Sequence, residues 1–236
     1  SIKGEGNILL QDKADLIIYN IKKQNKKIDF ETDLIIDKNL FLIDFLGYKK
    51  KRNIKAKVNL KGSHIINKKT IIDNFSFDEN KNNLSINKLV FDENFKVRNF
   101  KNINLDYFDE DMRENKIVIA NEDNIYSLNG SKFNANYLIE NLINSEDSND
   151  FEILNQNMDL NVKIDQVYLD KEYIINDLKG NFSLRNNEIS KGELDALFSK
   201  NKKFKFTVKT QQSEKVTTLF LDNAEPIVKR YKFIKG

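Results

Sequence analysis

The chain has 236 residues, with 39 Lys and Arg against 36 Asp and Glu, for a formal net charge of +3. That near balance excludes the strongly basic surface of a typical nucleic-acid binder, and the absence of cysteine excludes disulfides and thiol chemistry. With 17 Phe and 8 Tyr the chain has the aromatic content of a folded protein, and its length suits one large β domain or two small ones.

In chain order, the first predicted strands cover residues 14–22, 27–37, 53–61 and 70–78. Within 53–61, Ile54, Ala56, Val58 and Leu60 fall on one face, and Lys55, Lys57 and Asn59 on the other. Side chains alternate across a strand, so such a run is apolar on one side only. Strands over 83–92, 95–107 and 116–121 follow. Turn formers such as Asp78-Glu79-Asn80 and Asp92-Glu93-Asn94 separate them, and the short gaps predict antiparallel hairpins in a meander.

The pattern breaks at 133–144. There Leu138, Ile139, Leu142 and Ile143 have helical spacing, and Ser131 or Asn134 can cap the helix. The polar stretch Asn144 to Asp150 follows and marks the best internal boundary, dividing the chain into 1–150 and 151–236. Strands resume over 159–169, 177–185, 188–198, 204–210 and 216–221. Leu160, Val162 and Ile164 alternate in the first of these, and Phe204, Phe206 and Val208 in the fourth. A second helix is predicted over 222–233, where Asp222 and Glu225 fit a capping box and Pro226 is tolerated in the first turn.

Alternation slips by one residue at Ser85–Leu89 and at Ile164–Val167. An inserted residue flips the side chains that follow unless it forms a bulge, and bulges curve a sheet. The expected fold is therefore mainly β: a long twisted antiparallel sheet curled into a groove, with two short amphipathic helices.

The residues show little chemistry. His64 is the only histidine, and no cysteine is present to complete a metal set. Gly4-Glu5-Gly6 lacks the third glycine of a dinucleotide loop, since Leu9 stands in its place. Asp78 to Asn82 imitates a calcium loop, but Asn83 occupies the glycine position and Leu89 the bidentate glutamate position. The acidic patch Asp106 to Asp111 reads as a solvated loop, and the basic runs Lys49–Arg52 and Lys200–Lys203 as solvated turns. No catalytic residue, cofactor or metal site is expected, and the chain does not read as an enzyme.

Greasy strand faces in excess of helical cover have two physical solutions. The sheet packs on itself as a sandwich, barrel or solenoid, or it stays open and holds apolar ligands.

Three segments bear on that choice. Phe45-Leu46-Gly47-Tyr48-Lys49-Lys50 reads as an aromatic-and-lysine turn before a new run of strands. Leu128-Asn129-Gly130-Ser131-Lys132-Phe133 reads as a glycine turn leading to a short helix. Leu221 to Tyr231 reads as a strand end running into an amphipathic helix. In order and spacing these resemble the AsmA-like family of bacterial envelope proteins, specifically its YhdP-type members, with TamB as a more distant relative.

The resemblance implies a segment of a longer protein, spanning the periplasm and anchored in the inner membrane by an N-terminal helix outside this segment. It also implies a β trough that conducts phospholipid for outer-membrane lipid homeostasis. The partners would be phospholipid acyl chains, with no nucleic acid and no cofactor. Ile54, Ala56, Val58, Leu60, Leu160, Val162, Ile164, Phe204, Phe206 and Val208 are the candidate lining residues. The alternative is a self-packed sandwich or solenoid serving as a binding or spacer module of a surface protein.

Overall fold

Period-two alternation is realised along nearly the whole chain. The computed structural model describes residues 1–144, 157–185, 188–198, 201–211, 214–225 and 228. The first strands are β1 (Ile2–Leu9), β2 (Ala14–Gln24) and β3 (Lys27–Ile36). A small flap follows, made of β4 (Phe41–Ile43), a single 3₁₀ turn (Asp44–Leu46) and β5 (Tyr48–Lys50). Then come β6 (Ala56–Ile65), β7 (Lys69–Glu79), β8 (Asn82–Phe91), β9 (Val97–Asn99), β10 (Asn102–Phe108), β11 (Glu114–Glu122) and β12 (Ile125–Asn134). Helix α1 (Asn136–Asn144) precedes β13 (Met158–Tyr168), β14 (Ile174–Arg185), β15 (Glu188–Phe198), β16 (Lys202–Gln211) and β17 (Glu214–Leu221).

All strands except β4 and β5 form one 15-stranded sheet, in which chain order is also spatial order and β9 adds only a short pairing beside β8. Among the described residues the sheet is open, with β1 and β17 at its two ends. The main departure from a meander is the parallel pairing of β12 with β13. A parallel neighbour needs a crossover that returns the chain to the same end, and the segment containing α1 makes it. The sheet thus runs unbroken past residue 150.

Only one of the two expected helices is present among the described residues. Most of 222–233 falls outside them, and its described part contributes a single helical hydrogen bond, Val228 N–H to Ala224 O at 2.9 Å. α1 begins at Asn136, three residues later than the spacing suggests, because β12 runs on through Asn134. The Asn134 side chain supplies the cap, its Oδ1 accepting from Asn136 N–H at 3.2 Å. Gly130 is not in a turn but lies inside β12. The predicted strand 95–107 is split by Phe100, which is buried between β9 and β10. Both alternation slips have a backbone counterpart. Lys88 takes φ 52° within the first. Beside the second, β14 carries Asp177 at φ 53° and a register shift against β15 between Asn176 and Lys179.

The flap is fastened over the sheet by apolar and polar contacts together. Phe77, fully buried on β7, stacks on Phe41 with ring centroids 5.0 Å apart and meets the edge of Tyr48 at 5.5 Å. The Tyr48 hydroxyl donates to the buried Glu79 carboxylate, and burial pushes that hydroxyl's pKa up. Tyr107 Oη donates to Leu46 O at 3.0 Å. Lys50 is fully buried, and its Nζ donates to Asn39 O at 2.8 Å and to Asp37 O and Lys51 O at 3.1 Å. Three carbonyls thus use all three ammonium donors, while desolvation lowers the pKa of Lys50.

Asp15 holds the chain just before the flap. Burial alone would raise its pKa, but N–H groups of Lys38 and Asp37 and the Asn39 amide donate to it and hold it below the usual carboxylate value. A carboxyl depressed in the folded state stabilises the fold above its unfolded value, and that stabilisation is lost as pH falls through the folded value. Asp15→Asn is therefore expected to lower stability at pH 7 and to shrink the loss of stability between about pH 5 and pH 2. Parallel urea-melt pH profiles for the parent and the variant would refute this assignment.

Candidate functional site: an apolar groove across the sheet

Register aligns the apolar faces of successive strands into rows that cross the sheet. Phe75 pairs with Ile86, Ile86 with Ile103, Ile103 with Ile119, Ile119 with Leu128, and Leu128 with Val162. Beyond Val162 the row continues through Gly180, Leu194, Phe206 and Leu219. In the other direction it passes through Leu60, Thr32 and Tyr19 to Gly4. One row therefore touches all fourteen strands of the ordered path, a distance of roughly 60 Å at the usual strand spacing. A second row lies beside it, with Val58, Phe77, Leu84, Leu105 and Ile117 in register, then Gly130, Ile164 and Leu178.

The opposite face has a different chemistry. Asp33, Asn59, Ser76, Ser85 and Asn104 form one of its rows, followed across the sheet by Val118, Asn129, Lys163, Lys179, Asp195 and Lys205, so that Val118 is its one apolar member over this span. Polar contacts run along it, with Asn59 donating to Asp33, Asn104 to Ser85 at 3.2 Å, and Lys205 3.6 Å from Asp195. That face is built for water.

Where the two apolar rows cross β7 to β15 they enclose a groove of about 490 Å³. Every residue lining it is apolar. Ile103, Ile119, Leu128 and Val162 form its floor, and Phe45, Leu46 and Leu138 come from the flap and α1. Flap and helix close one side of the groove against each other. Gly47, in left-handed backbone at φ 60°, lies so close to the Tyr137 ring that an added Cβ would stand 2.3 Å from it. Gly180 widens the floor between Val162 and Leu194, and a Cβ there would stand 2.1 Å from Glu193 O.

A polar knot seats α1. Asp109, 3% exposed, accepts from Arg113 N–H at 2.9 Å, Asn134 Nδ2 at 2.8 Å and Asn115 Nδ2 at 3.1 Å. Asn115 Oδ1 in turn accepts from Asn134 N–H at 2.6 Å. The expectation of a solvated acidic loop over 106–111 fails at Asp109, because Arg113 and Asn115 turn back onto it and Asn134, 25 residues away, closes over it from β12.

The ten candidate lining residues divide. Val162 and Ile164 line the groove. Leu60, Leu160 and Phe206 lie on the same apolar face outside it, Leu160 packing beside the buried cluster of Phe100, Tyr126, Met158 and Leu184, and Phe206 facing Phe182 at 6.5 Å. Phe204 packs against the core around Ile164, Ala196 and Phe198. Ala56 and Val208 are closed core, with Ala56 and its neighbour Val58 beneath the flap. Ile54 precedes β6 and belongs to no strand. The central residues from β8, β10 and β11 were absent from that set although they alternate just as visibly. Position within the sheet is what distinguishes them, and a strand's sequence does not encode its neighbours.

His64 serves structure, its Nδ1 2.9 Å from Thr70 Oγ1. Among the described residues no three His, Cys, Asp or Glu side chains are grouped to hold a metal ion, and no helix is long and apolar enough to cross a membrane. Compared with protein-family models, curated proteins and solved structures, the chain matches none.

Proposed function

We propose that this chain binds phospholipid through its acyl chains, in the apolar groove and along the rows that extend it. In keeping with the AsmA-like resemblance, it would do so as a segment of a periplasmic, inner-membrane-anchored protein that conducts lipid towards the outer membrane. The observation that carries the reading is the groove itself: a lining without one polar side chain, on a single sheet whose packed partners there, among the described residues, are the flap and α1. Apolar surface left to water costs about 25 cal/mol per Å², and acyl chains remove that cost without needing any hydrogen bond. Lipid moves along such a lane by diffusion, which requires no catalytic residue.

The test is lipid extraction and mass spectrometry on protein purified without detergent from a bacterial periplasm, for the parent and for Val162→Asp. Val162 is half-buried at the groove floor, so the carboxylate meets the ligand and not a closed core. The expected result is co-purifying phospholipid in the parent and at least a tenfold loss in the variant, with an unchanged circular dichroism spectrum. A lipid-free parent that folds cooperatively would sink the proposal.

A further inference from the structure

The fold brings together three strand tips that are far apart in sequence. The β2–β3 turn carries Lys22, Lys23, Lys26 and Lys27, and the β6–β7 turn carries Lys68 and Lys69. Ile66 N–H donates to Lys26 O at 3.0 Å, which fixes the two tips side by side. All six lysines are exposed. Lys27 pairs with Asp29 at 2.8 Å, and among the described residues no carboxylate stands within ion-pair distance of the other five. The third tip is the β8–β9 loop. It presents Phe95, 66% exposed, with its ring held parallel to His64 at 6.2 Å. Of the two acidic groups in that loop, Asp92 is bound by Arg98 at 2.6 Å, leaving Glu93 as the only other.

We propose that this rim docks on an anionic phospholipid surface. Clustered ammonium groups with few counter-charges are drawn to negatively charged headgroups, each lysine adding to the attraction. An exposed aromatic ring beside them suits the boundary between headgroups and acyl chains. The apolar row nearest this rim, Ile21, Phe30, Gly62, Ile72 and Leu89, belongs to the face that bears the groove. The docking reading goes beyond acyl-chain binding and stands on different residues, so either can fail alone.

Flotation with vesicles tests it, using phosphatidylglycerol mixed into phosphatidylcholine against phosphatidylcholine alone at about 0.1 M salt. The parent chain should bind the anionic vesicles. A K22Q/K23Q/K26Q/K68Q variant should bind them at least tenfold less well, and Phe95→Ala should lose most of the binding that survives at higher salt. A K163Q/K179Q/K205Q control on the polar face of the sheet should bind as the parent does. Equal losses in the control, undiminished binding by the rim variant, or equal binding to phosphatidylcholine alone would each overturn the proposal. So would tighter binding of a single-stranded oligonucleotide that depends on the same lysines, since the rim would then be a nucleic-acid surface. Because Val162→Asp leaves the rim intact, it should float with anionic vesicles whether or not it retains extracted lipid.

Discussion

Asp109→Ala is expected to destabilise the protein by about 2–4 kcal/mol, measured as a shift of the urea midpoint followed by far-ultraviolet circular dichroism. The carboxylate is buried and serves three donors, from Arg113, Asn115 and Asn134. Asn115 and Asn134 are themselves fully buried, so the amides lose their acceptor where water cannot replace it. Asn115 Nδ2 keeps a bond to Arg113 O at 3.0 Å, but Asn134 Nδ2 keeps none among the hydrogen bonds of this knot. Asp109→Asn should also destabilise, because either orientation of the new amide turns an NH₂ group towards a donor. The effect should reach α1, since Asn134 both donates to Asp109 and caps the helix. A loss below about 1 kcal/mol for Asp109→Ala would mean the knot tolerates an open acceptor and does not seat the helix.

The sequence made the strands and their meander order visible and hid what covers them. Alternation in 53–61, 159–169 and 204–210 marked real strands, because a half-buried sheet imposes period two on each of them. The slips could be read as local events, with Lys88 in left-handed backbone inside the first, but the register shift beside Ile164–Val167 lies on the neighbouring β14–β15 pair. The short gaps also predicted a meander, and apart from the β12–β13 pair the ordered path is sequential and antiparallel. Nothing near Asn134 or Met158 says that β12 and β13 run parallel; the pairing of the two strands sets that. β12 itself was hidden by Gly130 and Ser131, which resemble a turn until Ile117 and Ile164 pair on either side. The flap was hidden for a similar reason. Lys50 reads as a solvated charge in a basic run, and only the carbonyls of Asp37, Asn39 and Lys51, gathered around it, make its burial tolerable. For the groove, the sequence supplied a face but not a place. Ala56 and Val162 have the same alternation, yet one is sealed under the flap and the other lines the groove, because β6 lies beneath the flap and β13 at the centre of the sheet.

Phe77 puts that distinction to a direct test. Phe77→Ala is expected to cost about 3–5 kcal/mol, as for other fully buried aromatic truncations, while Phe220→Ala, on the exposed outer face of β17, should change stability by less than about 0.5 kcal/mol. The reason is cover. Phe220 is 52% exposed, whereas Phe77 is sealed between β7 and the rings of Phe41 and Tyr48. Removing it leaves a cavity that the flap cannot fill, because Tyr48, Lys50 and Leu46 are tied by hydrogen bonds to Glu79, to backbone carbonyls and to Tyr107. The lost energy should therefore appear in global stability with little repacking. In the lipid-extraction assay at a temperature where the variant stays folded, bound lipid should persist. The floor at Ile103, Ile119, Leu128 and Val162 does not include Phe77, which is itself covered by the flap although Leu84, Leu105 and Ile117 of its row line the groove. A folded Phe77→Ala protein that had lost its lipid would move the binding site from the open floor to the space beneath the flap.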